Sequence, residues 1–221
     1  MKLSRYIDAS PLSPSMRIDE VHAAIETAIA QECCSVCVQP SDISLAVKLC
    51  RATQTRVCTV LDFPHGRAPR VIKEMQARYY IEYGVDEIDM VMNYGLARSG
   101  HWLEVEEEIR AVVDAAHARN VFVKVIFEAS QLCPEEIVRA TEICISAQAD
   151  FVKTATGFFG TGATEEQLRV MLDTAQGRCK VKASGGIRDY QTAKKFVEMG
   201  VARLGIGSSS VAAILAEESA S

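Results

Sequence analysis

The sequence predicts an α/β fold, a single-domain (β/α)8 barrel of the TIM type over residues 1–221. Three observations carry this. Eight short β-rich runs recur along the chain, a segment of helical period follows each one, and no Ser- or Pro-rich linker interrupts the alternation. An open doubly wound sheet is the alternative, because the first run is short and weakly marked.

The elements follow in order. Tyr6–Asp8 opens the series and leads to a helical pattern over Ile18–Ala30. Ser35–Gln39 precedes Asp42–Ala52, Arg56–Phe63 precedes Arg70–Tyr83, and Glu87–Met92 precedes Leu103–Arg119. The second half repeats the unit: Val121–Glu128 with Pro134–Ala147, Asp150–Thr156 with Glu165–Ala175, Lys180–Ser184 with Tyr190–Met199, and Ala202–Gly207 with Ser208–Glu217. Each strand candidate is a short apolar or β-branched run, and each helix candidate repeats its apolar positions near 3.6 residues.

Composition bounds the function. A chain of 221 residues with 48% hydrophobic and 24% charged residues is large enough for one sizeable core. The formal charge of -5 comes without a basic stripe, which argues against a nucleic-acid partner. The densest charge run, E-V-E-E-E-I-R from Glu104, reads as a solvated helix face. Polar residues break every apolar stretch before membrane-spanning length, and the start M-K-L-S-R-Y-I-D lacks the apolar core of a secretory signal, so no membrane role and a cytoplasmic location are expected. Eight cysteines are scattered through strand and helix patterns and read as reduced packing residues. Cys34 and Cys37 form a C-x-x-C, but no second pair completes a metal set.

Lys153 and Lys182 each sit at the end of a strand-like run and are followed by small residues and glycine. Lysine is among the residues least often buried, so its place there calls for a chemical reason. Active sites of such barrels lie at the carboxyl ends of the strands. Asp8, Cys37, Asp89, Glu128, Lys153 and Lys182 all fall within strand candidates. Alternation assigns the faces: Asp89 inward turns Ile88 and Met90 outward, Lys153 inward turns Val152 outward, and Lys182 inward turns Val181 and Ala183 outward. Lys124 faces inward by the same logic. For Lys124 alone, a structural ion pair is as good a reading as chemistry.

A free lysine is almost wholly protonated at neutral pH, and lowering its pKa by roughly 3 units takes about 4 kcal/mol. A neighbouring ammonium and desolvation both act that way, so Lys182 beside Lys153 is a means of leaving one amine nucleophilic. Lys153 would attack a carbonyl to form a Schiff base, with Asp89 and Lys182 relaying protons. Glycines complete the pattern: Gly157 follows Lys153, Gly185 and Gly186 follow Lys182, and G-I-G-S-S-S runs from Gly205 into the last helix. Any one is a turn glycine, but their clustering after the late strands points to a phosphate site and a small phosphorylated substrate.

At this point the chain resembles the deoxyribose-phosphate aldolase family of class I, Schiff-base enzymes. The matching runs are Y-I-D, C-V-Q-P at Cys37, T-V-L-D-F-P-H-G at Thr59, E-I-D-M-V-M-N at Glu87, V-K-V-I-F-E at Val123, D-F-V-K-T-A-T-G at Asp150, G-A-T at Gly162, V-K-A-S-G-G-I-R at Val181 and R-L-G-I-G-S-S at Arg203. They span nearly the whole chain. The resemblance implies a (β/α)8 barrel that cleaves 2-deoxy-D-ribose 5-phosphate reversibly to acetaldehyde and D-glyceraldehyde 3-phosphate, a step of deoxyribonucleotide catabolism, with no metal and no cofactor. It assigns the Schiff base to Lys153 and proton transfer to Asp89 and Lys182. Lys124, Asp8, Cys37 and Thr156 take supporting roles, and the phosphate lies near Gly157, Gly185, Gly186, Gly207 and Ser208.

The chain also departs from the family. Many members read I-D-H-T near the amino terminus, where Asp8 is here followed by Ala9 and Ser10. After R-x-G the family shows two serines or a threonine–serine pair, where an ungapped match puts Ile206, Gly207 and Ser208. Some members use a carboxyl-terminal tyrosine as a mobile acid, and no tyrosine follows Tyr190. A related sugar phosphate as substrate and a non-catalytic sugar-phosphate sensor are the alternatives. A metal-free isomerase on the same barrel would not need both lysines. His65 sits near a strand end and is a candidate pocket residue, and Glu128 a supporting one. His22, His101 and His117 read as surface or packing residues, and Trp102, Met75, Met90 and Met92 as packing. A homo-oligomer is an open option.

Overall fold

The computed structural model describes residues 2–220. Eight parallel strands close into a barrel in chain order: β1 (Ile7–Ser10), β2 (Ser35–Val38), β3 (Arg56–Leu61), β4 (Glu87–Val91), β5 (Phe122–Ile126), β6 (Phe151–Lys153), β7 (Lys180–Ser184) and β8 (Arg203–Gly207). β8 returns to pair with β1, with Asp8 opposite Gly205, so no open edge remains and the open-sheet alternative is excluded.

Outside the strands lie α1 (Ile18–Ala30), α2 (Ile43–Cys50), α3 (Arg70–Glu82), α4 (Tyr94–Arg98), α5 (Trp102–His117), α6 (Pro134–Ser146), α7 (Glu165–Ala175), α8 (Tyr190–Glu198) and α9 (Ser208–Ala220). Outward strand residues such as Val36, Ile88, Met90, Val123, Val125, Val152, Val181 and Leu204 are buried against them, and this shell is the main core. No helix among the described residues is long and apolar enough to cross a membrane.

Boundaries shift where local chemistry overrides strand propensity. A 3-10 turn over Leu3–Tyr6 delays β1, so the first strand is Ile7–Ser10 instead of Tyr6–Asp8. β5 ends at Ile126, and two residues later Glu128 adopts a left-handed conformation (φ 53°, ψ 56°) that no strand accommodates. The short α4 was not anticipated. Asn93 caps it by accepting a hydrogen bond from Leu96 N, but five residues are too few to display a period.

Caps fix the loops that matter for the site. Thr164 and Gln167 form a reciprocal capping box that starts α7 and ends the long loop after β6. Asp189 accepts from Thr192 N and starts α8 just after the Gly185-Gly186 turn. Gly162 (φ 76°) lies so close to that turn that an added Cβ would meet Gly185 C and O at 2.5 Å, so only glycine lets the two loops touch.

Two expectations about helix charges and packing are corrected. Glu108, inside the acidic run read as solvated, is 3% exposed and accepts a 3.0 Å hydrogen bond from Lys73 of α3, which is 0% exposed. Lys73 also donates to Gly66 O and Val91 O, so the pair ties α3 and α5 to the loop after β3 and the end of β4. Met75 is 60% exposed on α3, whereas Met90 and Met92 are buried and Trp102 packs against the core as read.

Candidate active site

Period-2 alternation sends one side chain from every second strand residue into the barrel, and here the inward set is charged. Asp89 (β4) stands at its centre. Its Oδ2 accepts hydrogen bonds from Lys153 Nζ (β6) at 2.7 Å and from Lys182 Nζ (β7) at 2.8 Å, and its Oδ1 accepts from Lys124 Nζ (β5) at 2.9 Å. Since both bonds end on one oxygen, the nitrogens of Lys153 and Lys182 can be no farther apart than the two lengths together. Lys153 and Lys182 are also direct partners in the β6–β7 register.

A second tier surrounds this centre. Asp8 (β1) accepts from Lys182 at 2.5 Å and also from Arg203 (β8). Glu87 (β4) accepts from Lys124 at 2.5 Å and from Arg203 Nη2 at 2.6 Å. Phe151 (β6) lies beneath the cations, its ring centroid 5.8 Å from Lys124 Nζ and 5.5 Å from the Arg203 guanidinium carbon. Cys58 (β3) donates to Asp89 Oδ1 at 3.1 Å, and Cys37 (β2) lies 3.9 Å from Oδ2. Every strand therefore supplies a group to one buried network.

Burial opposes charge on all of these groups, so the charged state stands only because partners outweigh it. Burial pushes Asp89 up, yet Lys124, Lys153 and Lys182 hold its carboxyl well below the usual range. Asp8 is likewise lowered, with Lys182, Lys124 and Arg203 overcoming desolvation. Glu87 follows through Lys124 and Arg203. In turn, Lys182 is raised by Asp8 and Asp89, and Lys124 well above the ordinary value by Asp89, Cys58 and Glu87, against desolvation. Lys182 is thus a cation in the resting site. Burial, a bond to Cys37 and the Asp89 carboxylate push the Cys58 thiol well up, so it stays neutral. Cys37, Cys58 and Asp89 each bring one ligand-type atom within 4.8 Å of the others, but Asp89 is already taken by three ammonium groups, a poor setting for a metal cation.

Above Lys153 the barrel opens into a cleft of about 690 Å³. Lys153, Thr156, Gly157, Ser184, Gly185, Gly186, Gly207 and Ser208 line it, so the glycines and serine read as a phosphate site meet the lysine in one space. Gly157, Gly185 and Gly186 all have positive φ (83°, 89° and 77°), which turns their backbone toward the cleft without a side chain in the way. Ser208 begins α9, whose unsatisfied amides favour an anion at that end. Arg188 and Glu20 also border the cleft.

Thr156 donates its hydroxyl to Glu128 Oε2 and accepts from Phe158 N at 3.1 Å, which fixes its rotamer at the cleft wall. Glu128 is buried, and desolvation raises its pKa. Phe158 stands edge-on to Phe63, centroids 5.1 Å apart, and His65 packs on Phe159 at the rim.

All twelve residues expected at the site lie in this network or cleft. Glu87, Arg203 and Cys58 were not singled out from the sequence. The signal was present: Glu87 is two residues before Asp89, Arg203 two before Gly205, and Cys58 lies opposite Cys37 in the β2–β3 register.

Comparison with known proteins places the chain among aldolases. The profile described as DeoC/LacD family aldolase matches residues 5–214. The deoxyribose-phosphate aldolase of Streptococcus mutans is 41% identical over 205 residues, covering 93% of this chain and 92% of the relative. Among solved structures, QR15, an aldolase, superposes with a TM-score of 0.91 at 37% identity over 99% of this chain and 96% of that one. The tetrameric deoxyribose phosphate aldolase of Aeropyrum pernix superposes at 0.91 with 27% identity over 98% and 91%.

Proposed function

The chain belongs to the DeoC/LacD aldolase family, and from that premise we infer that it cleaves 2-deoxy-D-ribose 5-phosphate reversibly to acetaldehyde and D-glyceraldehyde 3-phosphate, with Lys153 as its Schiff-base lysine. One observation supports this most strongly. Lys153 shares a single Asp89 oxygen with Lys182 at the floor of a cleft whose rim is built from glycine turns and the start of α9.

The neutral Lys153 amine attacks the C1 aldehyde of the open-chain sugar, and the carbinolamine loses water to give an iminium. Proton transfer to the departing hydroxyl comes from Lys182, whose charge Asp8 and Asp89 hold in place. The iminium draws the C2–C3 bonding pair toward nitrogen as the C3 hydroxyl gives its proton to Lys182, which the loss of water left neutral and which returns that proton to C2 of the enamine. Glyceraldehyde 3-phosphate leaves and an enamine remains on Lys153. Protonation at C2 followed by addition of water releases acetaldehyde and restores the amine. Asp89 carries charge throughout, stabilising the iminium and directing the proton between the two lysines. Lys124, Asp8 and Cys37 hold Asp89 and Lys182 in place, while Thr156 fixes the cleft wall.

The phosphate rests on the backbone amides near Gly157, Gly185, Gly186 and Gly207 and on Ser208. Such an anchor orients the C1 carbonyl against Lys153, so binding energy from a remote group serves the reacting centre. The protein works in the cytoplasm, as a homo-oligomer like its tetrameric Aeropyrum pernix relative.

A retro-aldol assay with phosphorylated and unphosphorylated deoxyribose tests the reading. The wild type cleaves the phosphorylated sugar with higher kcat/KM, and Lys153→Ala cleaves neither. Wild-type rates in Lys153→Ala would end it.

A further inference from the structure

We propose that Glu87 and Arg203, one tier below the reacting lysine and outside the cleft, act as positioning residues that set the charge of Lys153 by fixing the charge count of the buried network. The inference rests on the Schiff-base reading and goes beyond it.

The argument is a count of charges and bonds. The hydrogen-bonded network below the cleft holds three carboxylates, Asp8, Glu87 and Asp89, and four cations, Lys124, Lys153, Lys182 and Arg203, none more than 5% exposed. Lys124 bonds Glu87 and Asp89, Lys182 bonds Asp8 and Asp89, and Arg203 bonds Asp8 and Glu87. Lys153 bonds Asp89 alone, at an oxygen that Lys182 already occupies. In this bonded network the cations outnumber the carboxylates by one, and Lys153 is the cation with one carboxylate partner instead of two. Among the four, Lys153 alone lines the cleft.

Arg203 cannot release a proton, so its charge is permanent and the surplus falls on the lysines. Glu87 subtracts from the same surplus, and Lys124 and Arg203 keep it ionised. The other groups around Lys153 are the same in wild type, Glu87→Gln and Arg203→Met. Cys37 and Cys58 are buried thiols, Glu128 is a further buried carboxylate that accepts from Thr156 and lies within electrostatic reach of Lys153, Arg188 and Glu20 border the solvated cleft, and the Arg56 side chain, bonded to Glu87 at 3.2 Å, is 47% exposed.

The signs are opposite for the two residues. Glu87→Gln raises the surplus to two and favours the neutral amine, whereas Arg203→Met removes the surplus and favours the ammonium. At an effective dielectric of about 20, one unit charge removed from the neighbouring tier moves the acid limb of kcat/KM by roughly one pH unit. The experiment measures kcat/KM against pH for wild type, Glu87→Gln, Arg203→Met and the double variant, and repeats the profile as the rate of cyanoborohydride trapping of acetaldehyde. The expected limb falls in Glu87→Gln, rises in Arg203→Met and returns to the wild-type position in the double. Loss of activity at every pH with an unmoved limb, deepest in the double, overturns the proposal. If neither single variant folds by circular dichroism, Arg56→Met carries the test, with a smaller upward move expected and an unmoved limb counting against. Absence of any reduced adduct on wild-type Lys153 defeats the Schiff-base reading itself, whereas an adduct with unmoved limbs defeats only this inference.

Discussion

Replacing Lys182 with methionine keeps most of the side-chain volume and removes one buried charge that contacts both Asp8 and Asp89. Lys182 and Lys153 donate to the same Asp89 oxygen, which keeps them no farther apart than the two bond lengths together. At about 5 Å and an effective dielectric of about 20, two ammonium groups repel by about 3 kcal/mol, equivalent to roughly two pH units. Without Lys182 that repulsion is gone, and the cations left in the bonded network equal its carboxylates. The acid limb of kcat/KM for retro-aldol cleavage should therefore rise by roughly two units, a loss approaching about 100-fold at pH values below the wild-type limb. The plateau above the limb should fall as well, because the proton donor is missing. The midpoint of imine trapping against pH isolates the first effect, since the missing donor slows iminium formation at every pH without moving that midpoint. A trapping profile that coincides with wild type would refute the reasoning that Lys182 keeps Lys153 neutral.

Four further outcomes are expected. Asp8, Glu87 and Asp89 have lowered pKa values in the fold, so their stabilisation is complete above their ordinary values of 3.8–4.5 and lost as pH falls further, whereas raised Lys182 contributes below 10.5 and is lost above it. The buried thiols of Cys33, Cys50 and Cys179, raised from 9.0, add a loss that starts near pH 9. Tm should therefore not fall between pH 7 and pH 5 and should drop at both extremes; a steady decline from pH 7 to pH 5 would contradict this. Gly207→Ser adds a hydroxyl where a Cβ meets nothing within 4 Å, so KM for the phosphorylated substrate should fall several-fold with kcat little changed, and an unchanged KM would place the phosphate elsewhere. Gly162→Ala forces a Cβ onto the Gly185 backbone at positive φ, with a cost of roughly 1–3 kcal/mol in stability by denaturant titration and a raised KM; a neutral substitution would mean the two loops do not depend on each other. Lys73→Met leaves Glu108 buried without its cation and should cost about 3–5 kcal/mol, read as a lower urea midpoint, and an unchanged midpoint would show Glu108 protonated and content without it.

The barrel was legible because period 2 and period 3.6 alternate without a break from Tyr6 to Glu217, and because parallel strands buried on both sides must be short apolar runs. The same alternation put Asp89, Lys124, Lys153 and Lys182 on one face, which is where the hydrogen bonds place them. It gives a face but not a depth, and that is why the lower tier escaped notice. Glu87 shares its face with Asp89, yet at the amino end of a strand an acid looks like a boundary residue. Arg203 was absorbed into the glycine run that follows it. Lys73 and Glu108 were hidden for another reason: on an amphipathic helix a charged residue reads as solvated, and only the neighbouring loop over Gly66 reveals that both are enclosed. Met75 erred the opposite way, an apolar side chain left on the outer face of α3.

The central claim is a covalent one. Borohydride reduction of the wild-type protein in the presence of acetaldehyde, followed by peptide mapping with mass spectrometry, should place a single ethyl group on the peptide containing Lys153 and leave the peptides of Lys124 and Lys182 unmodified. An ethyl group on Lys182, or unmodified protein under conditions in which cleavage proceeds, would contradict the account.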